Sequence, residues 1–84
     1  MDAREVPQID YDAPDPPMRQ IADWLREEIR SGRIPPGKKI PSETWLVQAF
    51  GVARTTVRRS VALLRDEGVI TTIQGRGSWA VDRR

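Results

Sequence analysis

The chain has 84 residues and a net charge of +2, and it contains neither cysteine nor histidine. This length allows one small domain and leaves no room for a second, ligand-sensing domain, so we expect no small-molecule effector site within it. The missing residue types exclude disulfides, metal sites built on thiolate or imidazole, and histidine general bases, and we expect no cofactor.

The first sixteen residues form an acidic arm. They hold five acids and one arginine, together with Pro7, Pro14 and Pro16. Such a composition buries too little apolar surface to order a chain, so we predict a flexible arm over 1–16. Residues 17–84 carry 13 basic and 7 acidic side chains, the excess expected of a phosphate-backbone binder. The arm is then either a solvated tail or a segment that competes with DNA for the basic domain.

Helical periodicity begins at Pro17, since a proline at the first helical position loses no hydrogen bond. Ile21, Leu25 and Ile29 recur every four residues and form one apolar stripe. Gly32 suits the position after a helix end. These signals predict helix one over 17–31.

A turn separates this helix from the next. Pro36 and Gly37 suit the central pair of a type II turn, because proline fixes φ and glycine supplies a positive φ. Ser42 is a good N-cap, and Gly51 stops the helix that follows. The sequence therefore predicts a short helix two over 43–50.

Helix three is predicted over 54–67, about three residues after helix two, which is the spacing of a helix-turn-helix. Its Val57, Val61 and Leu64 share one face. The opposite face carries Thr55, Arg58, Arg59 and Ala62, with Arg54 and Thr56 in the first turn. Residues 51–65 contain four arginines and no acid. An ordinary solvated face mixes both signs, so we favour a helix whose N-terminal turns enter a major groove.

The last predicted element is a β-hairpin, or wing. Val69–Ile73 and Ser78–Val81 read as strands, and Gln74–Gly77 is a glycine-rich tip. Arg76 between two glycines suits the narrow, negative minor groove, although a generic hairpin turn has the same composition.

For several other residues the sequence leaves two interpretations open. Lys38 and Lys39 either touch phosphates or are solvated. Trp79 covers the wing, whereas Trp24 or Trp45 either contacts a partner or closes the edge of the core.

Several motifs in order resemble the N-terminal domain of GntR-family bacterial transcription regulators, over about residues 17–81, with the HutC and YtrA branches most similar. They are Gln20-Ile21-Ala22, Ile29 with Gly32, 36–43 (PGKKIPSE), Phe50-Gly51-Val52, 54–58 (RTTVR), Leu64, Glu67-Gly68 and Gly75-Arg76-Gly77.

The resemblance implies a winged helix-turn-helix of three helices and a two-stranded wing, with a short third strand near Ile40 as a variant. It also implies a homodimer that binds a two-fold operator on double-stranded DNA, more often to repress than to activate. The residues expected to bind DNA are Ser42, Thr44, Arg54, Thr55, Thr56, Arg58, Arg59, Gln74, Gly75, Arg76 and Gly77.

Three positions depart from the family pattern. Thr44 stands where some relatives have arginine, Ala53 stands where a serine or threonine usually caps helix three, and Trp45 replaces a usually polar residue. We therefore expect a weaker contact from helix two and an uncapped helix three.

Transcription regulation through operator binding is thus the predicted function, with residues 82–84 as a tail or the start of a linker. A winged helix used for protein–protein contact is the alternative, and it would not need an acid-free arginine face. An enzyme is not expected, since no nucleophile, base or paired-acid site is present. No apolar run spans a membrane, and the cysteine-free composition fits the cytoplasm.

Overall fold

The computed structural model describes residues 6–81. Three helices precede a two-stranded antiparallel sheet: α1 is Pro17–Arg30, α2 is Glu43–Phe50, α3 is Arg54–Asp66, β1 is Ile70–Ile73 and β2 is Gly77–Ala80. We call β1, β2 and the turn between them the wing. The order and number of elements confirm the predicted winged helix-turn-helix. Residues 82–84 and the first five residues of the predicted arm lie outside the described residues.

Local chemistry sets the helix ends. The Ser42 side-chain oxygen accepts a hydrogen bond of 3.1 Å from the Trp45 amide and so caps α2. Gly51 ends α2 in the left-handed conformation, with φ of 66°. Ala53 precedes α3 and offers no side-chain cap, as expected. The Lys38 amide bonds to the Pro35 carbonyl at 3.1 Å, which closes the predicted turn before α2.

The core lies where α1 and α3 cross and where α2 and β1 cover them. Its fully buried side chains include Ile21 and Leu25 of α1, Leu46 of α2, and Val57 and Leu64 of α3. Within residues 6–81, no helix is both long and apolar enough to cross a membrane.

The buried stripe of α3 differs from the predicted one at one position. Ser60 is fully buried, whereas Val61 is only half-buried. The hydroxyl of Ser60 lies 2.6 Å from the Met18 carbonyl oxygen and 3.1 Å from that of Thr56. A polar side chain is stable in the core when it is hydrogen-bonded, and this pairing with the start of α1 turns Ser60 inward.

The third strand near Ile40 is reduced to one bridge, between Lys39 and Trp79. The Ile40 amide bonds to the Ser78 carbonyl at 2.9 Å, and the Ala80 amide bonds to the Lys38 carbonyl at 2.8 Å. These bonds fix β2 of the wing to the segment that enters α2.

Trp24 and Trp45 close the edge of the core. Both are half-buried, and their rings stack with centroids 6.2 Å apart. Trp24 also meets Phe50 edge-to-face at 5.4 Å. These contacts within the domain account for both tryptophans and favour the core-edge interpretation over a partner contact.

Residues 6–16 lie against the start of α1. The Gln20 amide donates hydrogen bonds of 2.8 Å to the carbonyls of Asp10 and Asp15, and its oxygen accepts one of 3.0 Å from the Asp10 amide. Val6 and Ile9 are partly buried and pack on the core. The described part of the arm is thus attached to the domain, while its flexibility and its competition with DNA stay predictions.

Candidate nucleic-acid interface

One concave surface, which we call the reading groove, lies between the entry to α2, the exposed face of α3 and the wing. Six of its side chains are cationic, namely Lys39, Arg54, Arg58, Arg59, Arg65 and Arg76, and its single carboxylate is that of Glu43. A concave surface lined mainly by one sign of charge concentrates ions of the opposite sign. The reading groove is therefore built to attract a polyanion.

The fold brings most of the predicted DNA-binding residues to this groove. Two predicted residues do not line it: Thr55 is exposed on α3 outside the groove, and Thr56 is half-buried in the first turn. The predicted residues that do line it are Ser42, Thr44, Arg54, Arg58, Arg59, Gln74, Gly75, Arg76 and Gly77.

The arginines at the start of α3 are held by α2. One Arg54 nitrogen lies 3.3 Å from a Glu43 carboxylate oxygen, and another donates to the Thr44 hydroxyl at 3.1 Å. Arg58 Nε lies 3.2 Å from the second Glu43 oxygen. The Glu43 carboxylate thus pairs with two arginines at once. Thr44 also holds Arg54, because its hydroxyl accepts a hydrogen bond from that side chain.

Glu43 is a residue of this candidate site that sequence reasoning missed. Its position in the first turn of α2 suits the helix dipole, and the acid-free stretch 51–65 gives no indication that a carboxylate faces the arginines of α3. In the folded domain the acid reaches that arginine face from the neighbouring helix. A signal was present, because Glu43 is the only acid between Glu28 and Asp66 in the sequence.

The wing tip is a tight turn closed by a 3.0 Å hydrogen bond from the Arg76 amide to the Ile73 carbonyl. Gly75 has φ of 78° and Gly77 has φ of 126°, values that disfavour any other residue. Arg76 is exposed between them, and so is the large apolar side chain of Ile73. The tip therefore presents one cation and one apolar group at the rim of the reading groove.

An ion pair outside the groove ties the end of α3 to α1. Arg26 donates to both carboxylate oxygens of Glu67, at 2.9 and 2.8 Å, and also bonds Asp23 at 2.6 Å. The hydrogen bonds to Glu67 and then to Asp23 raise the pKa of Arg26 above its usual value. This pair is part of the scaffold that holds α3 and does not line the reading groove.

Proteins with a related sequence or fold are regulators of transcription. The chain is 41% identical over 69 residues to the mannosyl-D-glycerate transport/metabolism system repressor MngR of Escherichia coli K12, covering 82% of this chain and 29% of that protein. The chain thus spans less than a third of this relative's length.

Solved structures agree in fold. The AraR DNA-binding domain in complex with operator ORX1 superposes with a TM-score of 0.82 at 30% identity, covering 90% of this chain and 96% of that one. YtrA from Sulfolobus acidocaldarius, a GntR-family transcription factor, superposes with a TM-score of 0.81 at 36% identity, covering 90% of this chain and 80% of that one.

The model of the gntR family of bacterial regulatory proteins matches residues 17–79, which is three quarters of the chain. That stretch holds α1, α2, α3 and almost all of the wing. The match confirms the predicted resemblance, and with it the prediction that this domain is not an enzyme. The chain belongs to the gntR family of bacterial regulatory proteins.

Proposed function

We propose that this domain binds double-stranded DNA at specific sequences and thereby regulates transcription. The observation that carries the proposal is the reading groove, in which the arginines of α3 and the wing tip share one concave, cationic surface. A helix that lies with its first turns in a major groove can read guanine through arginine, since a guanidinium donates to O6 and N7 together.

The proposed contacts divide by role. Arg54 and Arg58, in the first two turns of α3, read base edges. Thr55 and Thr56 lie in the first turn, where a hydroxyl reaches a base edge, a thymine methyl or a phosphate. Arg76 enters the minor groove, whose negative potential attracts a cation. The remaining residues proposed to contact DNA on this surface are Ser42, Thr44, Arg59, Gln74, Gly75 and Gly77.

The relatives support this role. AraR carries a domain of the same fold that was solved with operator DNA, and MngR is named a repressor. By analogy we propose that the present domain acts in repression, in the cytoplasm, as one half of a homodimer on a two-fold operator. Sedimentation of the domain with a selected duplex tests the dimer, because two copies should bind one site.

The experiment is a selection from randomised duplex DNA, followed by binding measurements on the enriched sequences. We expect enrichment of a defined motif and an affinity that falls steeply with salt, because each neutralised phosphate releases counterions. Arg58→Ala should lose most of the preference for that motif. If no sequence is enriched and Arg58→Ala binds as the wild type does, the proposal is wrong.

The protein–protein alternative gives a different result in the same experiment. A domain of that type would bind duplexes weakly, without enrichment, and its weak binding would not depend on Arg58.

A further inference from the structure

Two adjacent lysines precede α2, and the fold separates their roles. Lys38 and Lys39 are both exposed, but only Lys39 lines the reading groove. Sequence alone left both open as either phosphate ligands or solvated surface. The difference arises because the segment pairs with β2 at Lys39, opposite Trp79.

Lys39 lies across the base of the wing. Its ammonium nitrogen is 5.5 Å from the centre of the Trp79 ring, within the range of a cation–π contact. Its side chain also passes directly over Gly77, where a methyl group would collide with Cε and lie 3.2 Å from Nζ. The Lys39 side chain thus lies against the Trp79 ring and the bare backbone of Gly77, which together we call its seat.

The charge of Lys39 is available to a ligand. Across residues 6–81, no acidic side chain pairs with Lys39, whereas Arg54 and Arg58 share the carboxylate of Glu43. Lys39 lines the reading groove from the segment that pairs with β2 and then enters α2. A cation without a carboxylate partner at that position suits an anion that follows the rim of the groove.

We propose that Lys39 binds a phosphodiester of the DNA backbone and is held in position for it by Trp79 and Gly77 before DNA arrives. This assignment rests on the proposed function and extends it. A lysine ammonium is a compact point charge on a stem with several rotatable bonds, so ordering it on binding normally costs affinity. The seat removes part of that cost. The contact fixes the wing relative to α3 and carries no base preference.

The test compares Lys39→Met with Lys38→Met, which removes the same charge one residue away from the groove. Affinity for a duplex selected by the wild type is measured from 50 to 300 mM salt, over which the Debye length falls by a factor of about 2.4. Lys39→Met should weaken binding roughly five- to tenfold at 0.1 M salt. It should also reduce the slope of log affinity against log salt by about 0.9. Lys38→Met should leave the slope close to the wild-type value.

A second variant tests the seat while keeping the charge. Trp79→Leu retains an apolar cover on the wing but removes the aromatic face under the ammonium. We expect a two- to fourfold loss of affinity with an unchanged salt slope, and the same loss should disappear in the Lys39→Met background. Thermal unfolding of Trp79→Leu checks that the wing is intact.

The outcomes separate the two proposals. Equal slopes for Lys39→Met and Lys38→Met, with wild-type binding intact, overturn the assignment of Lys39 alone. If Trp79→Leu reduces the affinity for DNA by the same factor with and without Lys39, the proposed role of the seat is wrong. A wild-type domain that binds no duplex overturns the proposed function and this assignment together.

Discussion

Glu43 gives the reading groove its single negative charge, and its effect on stability is small. Its side chain is 38% exposed and that of Arg58 is 63% exposed, so water screens the ion pair. Exposed pairs of this kind contribute about 0–1 kcal/mol to the free energy of unfolding. We expect its greater effect on binding, because a carboxylate among arginines repels phosphate and occupies donors that would otherwise meet any DNA.

We therefore expect Glu43→Gln to bind random duplex DNA two- to tenfold more tightly and to discriminate less between selected and random sequences. The variant frees Arg54 and Arg58 and removes one repulsive charge. Competition binding with both classes of duplex measures the ratio. Glu27→Gln is the matched control, since Glu27 pairs with Arg30 on α1, outside the groove. An unchanged ratio for Glu43→Gln would show that the ion pairs have no bearing on recognition.

Ser60 is a second residue whose side chain matters individually, in this case for the stability of the domain. Its buried hydroxyl joins α3 to the Met18 carbonyl at the start of α1. Ser60→Ala should lower the free energy of unfolding by about 1–2 kcal/mol, the usual effect of removing a buried hydrogen bond. Urea denaturation measures this. Ser78→Ala, which removes an exposed bond to Thr72, should stay within about 0.5 kcal/mol. Equal effects would contradict the role assigned to Ser60.

At the scale of elements, local signals sufficed wherever a cap or turn residue marks a boundary. Helix two was predicted at 43–50 and is found there, because Ser42 and Gly51 define both ends. Helices one and three each end one residue earlier than predicted. The first strand begins one residue later than predicted and ends where predicted, and the second strand is shifted by one residue towards the tip of the wing. The burial of Ser60 in place of Val61 was not predictable from periodicity, since it depends on which carbonyl of α1 lies opposite.

The uncapped start of α3 makes an element-scale prediction. Ala53 has an extended conformation suited to an N-cap, with φ of −67° and ψ of 151°, but no side-chain acceptor. Ala53→Ser should therefore raise the free energy of unfolding by about 1 kcal/mol, and Ser42→Ala should lower it by about the same amount through loss of the α2 cap. Thermal or urea unfolding measures both. A serine at 53 that leaves stability unchanged would contradict the interpretation of this helix start.

On the scale of the whole molecule, three separate segments of the sequence, within 39–44, 54–65 and 72–78, form one surface. The residues of helix two, helix three and the wing were each predicted separately to bind DNA, and the fold places most of them around the reading groove. The contacts that join them were not predicted, although the isolated position of Glu43 among the acids of the sequence was a signal for one of them. The Glu43 pairs and the seat of Lys39 depend on how α2 and β2 pack beside α3, which no local pattern encodes.

The charge distribution also acts at this scale. The groove gathers six cations, while the acidic Asp10 and Asp15 are held at the start of α1 through Gln20. The domain therefore has a cationic face set apart from part of its acidic arm, which favours encounter with DNA through that face.

The most direct test of base reading by α3 compares Arg54→Ala with Arg76→Ala on every single-base-pair variant of the selected site. Arg54→Ala should abolish discrimination worth about 1–3 kcal/mol at one or two base pairs and leave the others unchanged. Arg76→Ala should weaken binding to all variants by a similar factor. A uniform loss for both variants, with every base preference intact, would contradict the claim that the first turns of α3 read the sequence.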